Sequence, residues 1–170
     1  KMVTLKHHQL LSPVLGMAHF SVGRRRTTDN WIAKRKYNSW STYCTFSRLM
    51  AGYISLPFGE TVSRETLRAF ADWREWQSSD EWLDPVDLFD YREALATVSL
   101  PPSLYIANNE QELWGSPTDC RALISELGSH DGRMITVDKK GGNERNYTVN
   151  GLLLHPASCT DHFLQLQCWP

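Results

Sequence analysis

Long apolar runs are missing from this chain of 170 residues. No stretch approaches the ~20 apolar residues that a membrane-crossing helix needs, and no signal-peptide core opens the sequence. No membrane span is expected, and a cytoplasmic setting is. Lopsided charge is missing too. The 18 Lys and Arg against 19 Asp and Glu leave a net charge of −1, with no overall pull toward nucleic acid or an anionic membrane. Cysteine is sparse: Cys44, Cys120, Cys159 and Cys168 lie far apart without CxxC spacing. Reduced, packed thiols are the expectation, with one or two disulfides left open. Internal repeats, low-complexity tracts and linkers are absent. What remains is 41% hydrophobic and 22% charged, the balance of one globular domain able to bury a real core.

The clearest organisation lies in Leu104–Leu127. Leu104–Ala107 is a short apolar run after Pro101-Pro102, the pattern of a buried strand. Asn108–Trp114 is polar and turn-prone. Ser116 can cap a helix with Pro117 first and Asp119 near the positive end of the helix dipole. Cys120, Leu123, Ile124 and Leu127 then form one apolar stripe, and Gly128 ends it. A buried strand feeding an amphipathic helix is half of a βαβ unit, so a parallel or mixed sheet is expected. Ligands bind at the carboxyl ends of such strands, which makes 108–115 the first place to look for chemistry.

Around this unit, Met2–Leu11 reads as a short helix and Val14–Phe20 as a strand covered on both faces. From Thr27 to Asp90 the texture becomes helical and aromatic, holding five of the seven tryptophans (Trp31, Trp40, Trp73, Trp76, Trp82). Its clearest helix is expected to start at Ser63, with Leu67, Phe70, Trp73 and Trp76 as a stripe, and another helix or helical turn is expected over Asp87–Ala96. Arg133–Asp138 alternates as a half-exposed strand does. Lys139–Asn146 is a loop pivoting on Gly141-Gly142. Tyr147–Leu154 is ambiguous, and Thr160 can cap a last helix turning Phe163, Leu166 and Trp169 inward.

In this order the parts resemble the C-terminal portion of an α/β-hydrolase of an esterase- or lipase-like branch. Pro13–Arg26 is similar to the strand and loop after the nucleophile helix, and Asp84–Tyr91 (DPVDLFDY) to the end of a cap. Leu100–Pro117 (LPPSLYIANNEQELWGSP) resembles the strand and loop of the triad acid, and His155–Trp169 (HPASCTDHFLQLQCW) the terminal segment. The resemblance implies one partial α/β domain over 1–170, with 27–90 as a helical, Trp-rich cap insertion. Its sheet would keep the last three strands, Val14–Phe20, Leu104–Ala107 and Arg133–Asp138, with flanking helices. The first would then be an interior strand that has lost a neighbour, an open edge for self-association or for pairing with a missing N-terminal half.

The same resemblance removes the catalytic parts. No G-x-S-x-G nucleophile elbow occurs in the sequence. The acid position falls on Gln111, whose neutral amide cannot stabilise an imidazolium. The base position falls on Val149, which carries no proton, and the aspartate two residues on becomes Gly151. Glu110, Glu112 and His155 are the stand-ins. The expected protein is a degenerate or truncated hydrolase, a pseudoenzyme or interaction module unable to hydrolyse esters by itself. The alternative is a serine esterase or lipase-like hydrolase whose nucleophile segment lies upstream of Lys1.

Four further signals carry less. His155, Asp161 and His162 are metal-ligand types, but their spacing fits capping and a polar face better than zinc, so no metal or cofactor is expected. Arg24–Arg26 and Lys34–Lys36 with Trp31, Tyr37 and Trp40 resemble a single-strand-binding groove without a recognition motif, so no nucleic-acid partner is expected. His7-His8 has no assigned role. Aromatics at helical spacing are core before they are a ligand pocket.

Overall fold

A computed structural model of the chain describes residues 14–23, 31–51, 54–58, 61–65, 75–77, 79–112, 114–167 and 169. The elements run β1 (Met17–Phe20), α1 (Trp31–Ala51), β2 (Ile54–Phe58), β3 (Thr61–Glu65), α2 (Tyr91–Thr97), β4 (Ser103–Ala107), α3 (Pro117–Glu126), β5 (Gly132–Thr136), α4 (Gly151–Leu154) and α5 (Leu164–Gln167). The class is mixed α/β. Strands β1, β4 and β5 form a parallel sheet in the order β1-β4-β5, the three strands expected from the sequence. Met17 lies opposite Ser103 and Phe20 opposite Ile106, while Ser103 faces Gly132 and Ala107 faces Thr136.

The central strand explains why the sheet holds. β4 has a neighbour on each side, and all five of its residues are buried. Its alternate side chains enter two cores, as a period of two requires. Tyr105 and Ala107 pack on Cys120, Ile124 and Leu127 from α3 and its end. Leu104 and Ile106 pack on Tyr147, Leu152 and Ala157 from the C-terminal segment, joined by Phe20, Leu166 and Trp169. Each aliphatic side chain so buried contributes roughly 1.5–3 kcal/mol, and the two-sided cover accounts for the uninterrupted apolar run.

Helix α3 starts as its sequence dictates. Ser116 Oγ accepts from Asp119 N at 3.2 Å, and Pro117 takes the first position, where its missing N–H costs nothing. Just past the helix, Gly128 N donates to Leu95 O at 2.8 Å. A Cβ on Gly128 would sit 2.6 Å from Ala96 O, so glycine lets the end of α3 touch the end of α2. After β5, Asp138 Oδ1 accepts from Gly141 N at 2.7 Å, and Gly142 adopts φ 90, the pivot expected at Gly141-Gly142.

Three expectations change. The helix expected from Ser63 does not start there, because Ser63 lies in β3 opposite Leu56 of β2 in an antiparallel hairpin. Thr61–Glu65 pairs residue for residue with Ile54–Phe58, and that backbone ladder prevails over the capping value of serine. Leu67, Phe70 and Trp73 of the proposed stripe lie outside the described residues, as do Met2–Leu11, His7-His8, Arg24–Arg26 and Cys168. Helix α2 starts at Tyr91 rather than Asp87. Asp90 Oδ1 accepts from the N–H groups of Arg92 and Glu93, and residues 84–90 close into a turn with Leu88 at φ 57 and a Leu83–Asp90 bridge. Thr160 is not a cap. The last helical segment opens as a π-turn over Cys159–Phe163, and Thr160 Oγ1 donates back to Ala157 O at 3.0 Å.

Candidate functional site

The carboxyl ends of the three parallel strands lead into Ser21, Asn108 and Asp138, and the geometry there begins with a close approach. Ser21 has φ 49, and its N–H donates to Ile106 O at 2.9 Å. Gly115, at φ 66, lies directly against it: a Cβ there would be 2.2 Å from Ser21 Cα. Asn108, fully buried, fastens the intervening loop. Its N–H donates to Gly115 O at 3.0 Å and its Nδ2 to Trp114 O at 3.2 Å. Two polar atoms in this corner, Ser21 Oγ and Asn108 Oδ1, are buried with no hydrogen-bond partner.

Ser21 is the site residue that sequence reasoning passed over. Phe20-Ser21-Val22-Gly23 is a strand followed by Ser-x-Gly with a left-handed serine, a backbone that residues other than glycine rarely adopt. The Ser-x-Gly was visible in the sequence; the backbone conformation was not. A serine becomes a nucleophile when a base takes its proton, and no imidazole of the described residues bonds Ser21 Oγ.

The acid-position loop is held down by α1. Gln111 is exposed; its N–H donates to Asn109 Oδ1 at 2.9 Å and its carbonyl accepts from Lys36 Nζ at 2.9 Å. Lys36 also pairs with Glu112 at 3.6 Å. Glu110 Oε1 accepts from Thr118 Oγ1 at 2.8 Å and lies 3.8 Å from Arg121. Edge-on contact of Trp40 with Trp114, centroids 5.1 Å apart, completes the clamp. Both stand-in carboxylates therefore serve local contacts.

The base position lies in a different group. Val149 is half-buried and has no polar side-chain atom. Next to it in the chain, Tyr147 donates its hydroxyl to Asp161 Oδ2 at 2.5 Å, and Asp161 Oδ2 also accepts from Glu144 N at 3.0 Å. Burial, with the Asp161 carboxylate beside it, pushes the Tyr147 phenol up to about 12. His155 Nε2 meets the guanidinium of Arg145, while its Nδ1 faces Ala157 N at 3.2 Å. A neutral imidazole has one lone-pair nitrogen, and both ring nitrogens face donors. In either tautomer that lone pair is occupied.

His162 is fully buried in an aromatic box of Phe20, Tyr147 and Phe163. Its Nε2–H donates to Leu152 O at 2.7 Å, leaving Nδ1 buried without a partner. Burial lowers its pKa, so the ring is neutral. A second relay occupies the opposite face of the sheet. The Tyr105 hydroxyl bonds His130 Nε2 at 2.9 Å, and His130 Nδ1 bonds Gly128 O at 2.8 Å. Since Gly128 O can only accept, His130 carries its proton on Nδ1 and accepts from Tyr105. His19 stacks on Tyr105 at 4.8 Å.

The structure thus gathers Glu110, Gln111 and Glu112 under α1, and gathers His155, Asp161 and His162 around Tyr147. Among the described residues, no hydrogen bond or ion pair joins the two groups, and no set of three His, Cys, Asp or Glu residues is placed to hold a metal ion. Within the basic stretch, Lys36 is committed to the loop, and Tyr37 and Trp40 contact each other at 6.1 Å. Cys44, Cys120 and Cys159 are free thiols, and burial pushes Cys44 up to about 11. Among the described residues no helix is long and apolar enough to cross a membrane. No family profile, curated protein or solved structure matches this chain.

Proposed function

We propose that this chain is a non-catalytic, α/β-hydrolase-like module that acts by association rather than by ester hydrolysis. The observation that carries the reading is the state of His155. A general base must offer a lone pair to the proton it takes, and both nitrogens of this ring already meet donors. The remaining parts agree. Gln111 and Val149 bring no ionisable group to the acid and base positions, Glu110 and Glu112 are engaged by Thr118, Arg121 and Lys36, and no base among the described residues bonds Ser21.

Association is assigned to the side of β1 away from β4, which no strand among the described residues pairs, through self-pairing or pairing with an upstream half. A cytoplasmic setting fits the three free thiols. The test is turnover of short p-nitrophenyl esters by the purified chain. The reading expects a rate equal to buffer. Hydrolysis that disappears in His155→Ala would replace it with the esterase reading, in which an upstream segment supplies the nucleophile.

A further inference from the structure

His130 and His162 differ in what a second ring proton would meet. His130 Nδ1 faces Gly128 O at 2.8 Å, and its Nε2 faces the Tyr105 hydroxyl at 2.9 Å. A phenol oxygen accepts as well as donates, so a doubly protonated His130 keeps both partners. His162 has no second acceptor. Its Nε2–H is committed to Leu152 O at 2.7 Å, and Nδ1 is buried with no hydrogen-bond partner among the described residues. A proton added at Nδ1 sets a donor and a full charge in a closed space, and burying a charge in that way is costly.

The groups facing this ring leave that cost standing. β1 presents Phe20 at 6.2 Å, and α4 presents the Leu152 carbonyl, already occupied. Tyr147 meets the ring edge-on at 5.6 Å, and His155, itself against Arg145, meets Tyr147 at 6.0 Å. On its own turn His162 has Phe163 at 4.9 Å and the neighbouring Asp161. The Asp161 carboxylate favours a charged ring, but its Oδ2 already accepts from the Tyr147 hydroxyl and from Glu144 N. Burial is the larger influence and holds the His162 pKa below 6.5.

The ring sits where the C-terminal segment covers the sheet. Tyr147, Leu152, Ala157, Leu166 and Trp169 share one core with Leu104, Ile106 and Phe20, and His162 contacts both Tyr147 and Phe20. The hydrogen bonds of Ser158, Asp161 and His162 described above and that of Ser158 Oγ to Gly151 O close within 144–162, so packing joins this segment to the strands. The opposite face of the sheet draws on a separate set, Tyr105 and Ala107 with Cys120, Ile124 and Leu127. A segment bonded within itself and packed onto a sheet is the kind of unit that opens without the rest.

We propose that residues 147–167 form an acid-released cover over the Leu104 and Ile106 face of the sheet, with His162 as its latch: protonation at Nδ1 detaches the segment while β4 and α3 stay folded. The released state bares Phe20, Leu104 and Ile106. This device stands independently of the association reading above.

Hydrogen exchange of the full chain, resolved by peptide and corrected for the intrinsic pH dependence of amide exchange, tests the proposal. The open segment binds the proton more readily than the closed one, so opening is favoured as pH falls below about 6.5, by up to ~10-fold per pH unit for one group. Protection across 147–167 is expected to fall by that factor, while α3 keeps its protection. His162→Phe is expected to remove the pH dependence. His162→Gln, whose amide can still donate to Leu152 O, is the second neutral variant should His162→Phe fail to fold, and the same result is expected of it. Protection of 147–167 that does not change with pH in the wild type overturns the proposal. So does an equal loss in α3, which is global acid unfolding, or a pH dependence that survives in a neutral variant.

Discussion

The guanidinium of Arg145 lies against Nε2 of His155. Arginine donates and never accepts, so it holds the lone pair that a serine hydroxyl would need. Replacing His155 should therefore matter little. His155→Ala removes a half-buried ring that meets Tyr147 edge-on at 6.0 Å, and the exposed Arg145 head returns to water. A loss of about 1 kcal/mol or less is expected from chemical denaturation, with no change in any ester assay.

Acid should destabilise the fold through His162. Its folded pKa lies below the ordinary 6.5 because the ring is buried, so the unfolded chain binds a proton there more readily. The contribution is complete above about pH 6.5 and is lost as pH falls from that value toward the depressed folded one. Alkali acts through two phenols. Tyr105 and Tyr147 are raised from 10 to about 12, so their contribution is present below pH 10 and is lost as pH rises from 10 to 12. Melting temperatures across the pH range check both limbs. His162→Phe, which keeps an aromatic ring in the box, should flatten the acid limb while lowering the plateau, since Leu152 O loses its donor.

Gly115 should tolerate no side chain. Its φ of 66 is strained for any L-residue, and a Cβ would meet the backbone of Ser21 at 2.2 and 2.4 Å. Backbone cannot rotate aside as a side chain can. Gly115→Ala is expected to cost more than about 2 kcal/mol, whereas Gly142→Ala, with φ 90 and nothing within 4 Å, should cost about 1 kcal/mol from strain alone.

The clamp of α1 on the acid-position loop should be carried by its aromatics. Lys36 and Glu112 form a 3.6 Å pair whose lysine side chain is 45% exposed, and such pairs contribute about 0–1 kcal/mol. Trp40 and Trp114 meet edge to face, a geometry worth ~0.5–1.5 kcal/mol beyond the area it buries. Trp40→Ala should speed amide exchange at 109–112, and Lys36→Ala should leave it nearly unchanged.

Much of this fold was legible in the chain itself, for local reasons. Ser116, Pro117 and Asp119 state a helix start in residues that touch one another, and β4 reads as apolar because both of its faces are covered. The β2–β3 hairpin was not legible: Pro57 argues against a strand, and Ser63 offers a capping residue to a helix that does not begin there. The start of α2 was misread for a related reason, since Asp84, Asp87 and Asp90 are all capping types and only the Leu83–Asp90 bridge selects the last. At the candidate site, Gln111 and Val149 carry no ionisable group, which the residue types state by themselves. The occupation of His155 by Arg145 depends on how a loop folds back across ten residues, and the left-handed Ser21 depends on Gly115 pressing against it. Neither leaves a pattern in the sequence.

Intact-mass spectrometry after incubation with a fluorophosphonate tests the absence of a working serine most directly, because the probe reports an activated hydroxyl whether or not the natural ester is known. The mass of the chain is expected to be unchanged after prolonged exposure. A single adduct mapping to Ser21 or any other serine, and lost in His155→Ala, would contradict the account.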